Sequence, residues 1–181
     1  MEKSFRHEPL AAHDAIPQMP HATFQTPLGA CAIAWGDTGL TGFSLPGAAR
    51  KAEDRGAEPP PWIRAIVARV QRHLAGEPQD FSDICYDFAT VPAFNQRVLR
   101  ATLEVKSGRT ATYGEIAAAI GEAPASSRAV GAALGANHWP LLIPCHRVTG
   151  AHGKMTGFSG PGGVQTKTRL LALEGALLIS E

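Results

Sequence analysis

From Trp62 onward, apolar residues fall at Ile63, Ile66, Val67, Val70 and Leu74, a stripe with helical spacing that stops at Gly76. Further along, "AFNQRVLRATLEV" is amphipathic in the same way. "TYGEIAAAIG" is introduced by Thr112 with Glu115 three positions later, a capping-box pattern, and it stops at Gly121. The turn "EAPA" leads to "SSRAVGAALGAN", and two short helices joined this tightly resemble a helix-turn-helix. A last helix, "QTKTRLLALEG", turns Leu170, Leu171 and Leu173 inward. Before the first helix, residues 22 to 44 alternate small and apolar positions around Gly36-Asp37-Thr38-Gly39. This predicts a β-hairpin with strands near 30–35 and 40–44. "DFSDICYDF" reads as a third strand.

The remaining segments connect. "PGAARKAEDRGAEPPP" is a surface loop or short helix followed by a linker. "WPLLIPCHRV" is too proline-bound for a helix. Residues 149–163 carry six glycines and form a loop long enough to suggest function. The pattern predicts an α+β protein: a small N-terminal sheet-and-helix part, then a mainly helical part with a winged-helix-like helix-turn-helix.

Composition narrows the class. Hydrophobic residues make up 44% and charged residues 18% of 181, enough for a packed core. No apolar run reaches the roughly 18 residues of a membrane span. The N-terminal stretch to His21 mixes acids, histidines and prolines without an apolar segment, so it reads as a loose leader over residues 1–20 and not a secretory signal. Three widely spaced cysteines, Cys31, Cys85 and Cys145, argue for a reducing, cytoplasmic setting, nucleoid-associated if the protein is bacterial. No CxxC or HxxxH pair supports zinc. The net charge is only +1, but residues to Asn95 hold 8 basic against 11 acidic groups, and those from Gln96 hold 9 against 5. The basic excess lies in the half containing Cys145, which weakly favours an anionic partner there.

Candidate chemistry centres on "IPCHRV", where a thiol, an imidazole and a guanidinium are consecutive. A thiol reacts as thiolate and needs a base or cation nearby. Cys145 and His146 would point to opposite sides of an extended chain, so they cooperate only at a bend or through a water. A base also needs an orienting carboxylate. The second half offers Glu104, Glu115, Glu122 and Glu174; the last sits among leucines, an odd place unless it is paired. Core packing is the competing explanation, because free cysteine is among the most buried residue types. In the second helix of the pair, Ala129, Gly131, Ala132, Ala133, Gly135 and Ala136 leave little side-chain bulk. Such a helix can approach a minor groove about 6 Å wide, with Arg128 near its N-terminus.

"SSRAVGAALGANHWPLLIPCHRV", "GFSGPGGVQTKTRLLALEG" and "GRTATYGEIAAAIG" together resemble the O6-alkylguanine-DNA alkyltransferases, in order and spacing. The match is strong over roughly 88 to 176 and weaker over 22 to 87. The resemblance implies an N-terminal, ribonuclease-H-like α/β domain over 21–88 and a DNA-binding, alkyl-acceptor domain over 89–181. It implies Cys145 as acceptor, His146 as base through a water, Glu174 orienting His146, Asn137 holding the turn, and Tyr113 donating a hydrogen bond to the leaving guanine. Arg128 would enter the base stack, with Ala129, Gly131 and Thr112 also at the DNA. Val148, Phe158, Ser159 and Gly160 would line the guanine pocket. No cofactor or metal is implied. The partner would be double-stranded DNA containing O6-alkylguanine, met by a monomer away from any membrane.

Some positions depart from the family pattern. Lys106, Ser107 and Gly108 stand where a proline-glycine turn is usual, Leu99 where tryptophan is frequent, and Phe158 where tyrosine is common. His138-Trp139 is bulkier than usual, and Pro161 is less common. Three alternatives compete. A non-catalytic alkylated-base binding relative would carry another residue at the cysteine position. A cysteine hydrolase would have no use for the small-residue helix. A transcriptional helix-turn-helix would need base-reading side chains that "RAVGAALGAN" lacks.

Overall fold

The computed structural model describes residues 19–48 and 58–176; the leader up to residue 18, most of the charged loop after Gly47 and the last five residues lie outside them. The N-terminal half is a three-stranded antiparallel sheet in the order β1 (His21–Thr26), β2 (Gly29–Gly36), β3 (Gly39–Ser44), followed by helix α1 (Pro61–Leu74). The predicted hairpin is present. Gly36 pairs with Gly39 across a two-residue turn, and Gly39, at φ +145°, takes a backbone conformation that side chains disfavour.

The third strand differs from expectation. It is β1, paired with β2 through the Thr26–Gly29 turn, and not the 80–88 segment. That segment touches the sheet through one bridge, Leu40 to Tyr86. Asp83 pairs with Arg69 of α1, and its two other aspartates bind the local backbone instead: Asp80 accepts from the Ser82 amide and Asp87 from the Ala89 amide. Such bonds offer the chain an alternative to a ladder.

The second half is helical: α2 (Ala93–Leu103), α3 (Tyr113–Ala119), α4 (Ser127–Gly135) and α5 (Gly163–Leu173), with a two-residue parallel pair β4 (Ala111–Thr112) and β5 (Val148–Thr149). The predicted capping box forms at α3: Thr112 Oγ1 accepts the Glu115 amide at 3.2 Å, and Glu115 accepts the Thr112 amide. A single 3-10 turn, Pro124–Ser126, joins α3 to α4 and completes the helix-turn-helix. In α4, Val130, Ala133 and Leu134 are buried, which leaves Arg128, Ala129, Ala132, Gly135 and Ala136 outward. On α5 Leu170 and Leu171 are buried as expected; Leu173 is only half-buried, and Lys167 and Glu174 take inward places.

One hydrophobic core runs through both halves. Trp139 ties them together: it is fully buried, its indole N–H donates to the Leu40 carbonyl at 2.9 Å, and its ring meets Tyr86 and Phe88 edge-on. The segment leading to Cys145 is thereby fastened to the sheet. Leu141 in this segment holds φ +77°, a strained conformation costing roughly 1–3 kcal/mol that the surrounding packing imposes.

Candidate active site

Cys145 opens a 3-10 turn, Cys145–Arg147, just after Pro144. This turn is the bend that adjacent cysteine and histidine need in order to cooperate. Cys145 is 6% exposed and lies in the wall of a pocket of about 330 Å³. Tyr113 of α3, Gly131, Leu134 and Gly135 of α4, and Gly157, Phe158 and Ser159 of the glycine-rich loop complete that wall. Of the expected pocket residues, Phe158 and Ser159 are therefore in place. Val148 is fully buried in β5 and Gly160 is packed against the Phe158 ring; neither is part of the wall. Trp139 is not in the wall either and stays in the core.

Asn137 follows α4 and clamps the turn. Its Nδ2 donates to the Ile143 carbonyl at 3.0 Å, and its Oδ1 accepts the Trp139 amide at 2.9 Å. Burial raises the Cys145 pKa; Asn137, the Lys167 charge and the backbone amides of Cys145 and His146 oppose the rise.

Behind the thiol is a fully buried polar cluster. His146 Nε2 lies 2.9 Å from Glu174 Oε1, at the end of α5. The carboxylate fixes the tautomer: Nε2 carries the proton and Nδ1, which has no partner among the described residues, keeps the lone pair. Burial lowers the His146 pKa below its ordinary value, against the pull of Glu174, so the imidazole is neutral and able to accept a proton at pH 7. Arg147 grips Glu174 with two bonds, Nε to Oε2 at 2.9 Å and Nη2 to Oε1 at 2.8 Å. His73 of α1 lies 2.9 Å from the same Oε1. Burial pushes the Glu174 pKa upward, but hydrogen bonds from His146, His73 and Arg147 together outweigh it and hold the carboxylate far below its usual range.

Lys167 is a second buried cation besides Arg147. Its ammonium donates to the carbonyls of Val148 at 2.6 Å and Thr156 at 3.0 Å, pinning the pocket loop to α5. Burial lowers its pKa, and the charge on Cys145 opposes the fall only in part. Tyr113 Oη accepts from Thr156 Oγ1 at 3.4 Å, so it too is tied to the loop.

The structure thus brings Cys145, His146, Glu174, Asn137 and Tyr113 into one constellation. Arg128 and Ala129 are exposed on α4, with Gly131 beside them and Thr112 half-buried at the start of α3. Sequence reasoning missed Lys167, His73 and the contribution of Arg147. His73 had a signal, since it shares the α1 stripe with Ile66, Val70 and Leu74 and must point inward. Lys167 had one too: it stands one turn before Leu170 and Leu171 on the buried face of α5.

Fold and site define a reactive-cysteine protein whose thiol lies beside a helix-turn-helix. The family model for the DNA-binding domain of 6-O-methylguanine DNA methyltransferase matches residues 93–176. The methylated-DNA–protein-cysteine methyltransferase of Methanothermobacter thermautotrophicus is 36% identical over 152 residues, 84% of this chain and 83% of that protein. The Mycolicibacterium paratuberculosis protein of the same name is 39% identical, covering 85% of this chain and 91% of that one. A crystal structure of Mycobacterium tuberculosis OGT in complex with DNA superposes with a TM-score of 0.70 at 36% identity, covering 86% of this chain and 92% of that one. The chain belongs to the methylated-DNA–protein-cysteine methyltransferase family.

Proposed function

We propose that this protein repairs DNA by moving an alkyl group from O6 of guanine to Cys145. The observation that carries the reading is a thiol in the wall of a half-open pocket, backed by a neutral imidazole on a buried carboxylate and flanked by a helix-turn-helix. His146 takes the thiol proton through a water. The Cys145 sulfur attacks the alkyl carbon, a C–S bond forms, and the C–O6 bond breaks with its electron pair going to guanine. Tyr113 donates a hydrogen bond to the departing base and offsets its charge. Asn137 orders the turn, and Lys167 stabilises the thiolate.

A guanine inside a duplex cannot be reached in line, so it must leave the stack, at a cost of about a few kcal/mol. The outward face of α4 is small enough to lie in the minor groove, with Gly131 and Ala129 near the backbone. Arg128 fills the space left by the extruded base, and Thr112 faces the same DNA. Every group named comes from a single chain, so one copy suffices. Residues 21–88 serve as the brace and 89–181 as the working domain. No described helix is long and apolar enough to cross a membrane, and the reading places the protein in the cytoplasm, on nucleoid DNA in a bacterium.

The product is a thioether that no group in the site can cleave, so each molecule acts once. Retention of Cys145 disfavours the alkylated-base binding alternative. The test is to incubate the protein with duplex DNA carrying O6-methylguanine and weigh it. One methyl group per protein is expected, on the peptide containing Cys145, and none in Cys145→Ala. Continued release of product would indicate a hydrolase, and tight binding without a mass change would indicate a damage-binding protein.

A further inference from the structure

We infer that His73, carried by α1 in the N-terminal half, is a positioning residue for the transfer reaction: it shares Glu174 Oε1 with His146 and so sets how strongly the carboxylate draws on the His146 N–H. The inference rests on the reading of Cys145 and His146 given above. The geometry determines His73's role. The Gln79 amide donates to His73 Nδ1 at 3.0 Å, so that nitrogen carries no proton and Nε2 must be the donor to Glu174. Both side chains are 1% exposed, and the His73 ring is held against Phe81 at 5.4 Å. The two residues are 101 positions apart, and the contact joins the N-terminal half directly to the acid behind the catalytic base.

Glu174 Oε1 therefore accepts from three donors, His73 Nε2, His146 Nε2 and Arg147 Nη2, while Oε2 accepts from Arg147 Nε. An oxygen divided among three donors pulls less on each. If His73 is removed, Oε1 draws harder on the His146 N–H, and Nδ1 becomes more basic. The charged or titratable groups facing this assembly are Glu174 and Lys167 from α5 and Cys145, His146 and Arg147 from the active-site turn. The exposed Lys106–Asp80 pair lies beyond, lining the same shallow pocket as Arg147. Beyond His146 and Arg147, none of these supplies a further donor to Oε1, and Lys106 donates to Asp80 instead.

The experiment compares the wild type, His73→Phe and His73→Gln. Phe keeps a ring without a donor, and Gln keeps an N–H of similar reach. Single-turnover transfer from duplex DNA with O6-methylguanine is measured between pH 5.5 and 9, with DNA affinity and thermal melting in parallel. His73→Phe should slow transfer about tenfold on the acid limb, near pH 5.5, where a His146 more basic by about one unit holds its proton, with the rate at pH 9 not reduced and DNA affinity unchanged. The pH at which the rate rises should move upward, because the rate requires neutral His146. His73→Gln should recover most of the rate and return the midpoint toward wild type. A Phe variant with the wild-type rate and midpoint, or a rate loss in both variants with unmoved midpoints, overturns the inference. If the Phe variant does not fold, nitrogen-15 shifts of the wild-type imidazoles decide: both Nδ1 atoms should report as unprotonated at pH 7, and a protonated His73 Nδ1 overturns it. Absence of transfer in the wild type itself would instead refute the proposed function.

Discussion

Arg147 and Glu174 form a two-pronged ion pair in the interior, with Nε on Oε2 at 2.9 Å and Nη2 on Oε1 at 2.8 Å. The Arg147 side chain is 7% exposed and that of Glu174 is 1% exposed. Its third nitrogen, Nη1, donates to the Val105 carbonyl, so the pair also fastens the end of α2. Breaking a buried pair by removing one partner is costly because the other charge is left without compensation. Glu174→Ala strands Arg147 and two imidazole N–H groups. It should lose about 3–5 kcal/mol in urea unfolding. A loss below about 1 kcal/mol, the size typical of exposed pairs, would mean the cluster is wet.

Stability should also fall in acid, in two stretches. For Glu174 the folded pKa lies below its ordinary 4.5, so its contribution is complete above that value and is lost as pH falls toward the folded one. For His146 burial lowers the pKa from 6.5, so between the folded value and 6.5 the unfolded chain binds a proton that the native state refuses. Stability therefore rises with pH in that window too. Asp80, at about 2 through its bonds with Ser82, adds to the acid slope, but it is exposed and screened. Urea midpoints at pH 7, 5.5 and 4 check this. The wild type should weaken at each step, and Glu174→Ala should lose less than the wild type, by just under about 1 kcal/mol, between pH 5.5 and 4. Parallel curves would place the acid sensitivity elsewhere.

Lys167 acts on both the loop and the thiol. Replacing it with Met keeps the stem but leaves the Val148 and Thr156 carbonyls without their donor, and it takes a cation away from Cys145. The thiol pKa should rise. Alkylation of Cys145 by iodoacetamide at pH 8 should slow at least about tenfold, the effect of one pKa unit when little thiolate is present. Unchanged reactivity would limit Lys167 to holding the loop.

Much of this architecture was legible in the sequence, because local rules and tertiary packing agree there. The α1 stripe, the Thr112–Glu115 capping box and the Gly36–Gly39 turn each rest on interactions a few residues apart. Cys145, His146 and Glu174 were readable because a motif and one misplaced carboxylate pointed to them. The errors came from long-range or competing interactions. Segment 80–88 has strand-like composition, yet Asp80 and Asp87 give their oxygens to nearby amides and the ladder shrinks to one bridge. His73 and Lys167 look like surface residues by type. The helical stripe turns both inward, but the partners that satisfy them, Glu174 for one and the pocket-loop carbonyls for the other, lie far along the chain and are not revealed by spacing.

Arg128 separates base extrusion from chemistry. It is exposed at the second position of α4, next to the small outward face and away from the polar cluster around Glu174. If it fills the stack when guanine leaves, Arg128→Ala lacks that compensation on duplex DNA but not on a guanine already free. Extrusion costs about a few kcal/mol. Losing one stacking contact worth about 1–3 kcal/mol should slow transfer from duplex DNA by about tenfold or more. Transfer from free O6-benzylguanine should stay within about twofold, since surface substitutions of this kind leave the fold within about 0.5 kcal/mol. The measurement is the second-order rate on each substrate with the same protein preparation. Equal losses on both would mean that Arg128 supports the pocket itself, and no loss on either would leave extrusion to another group.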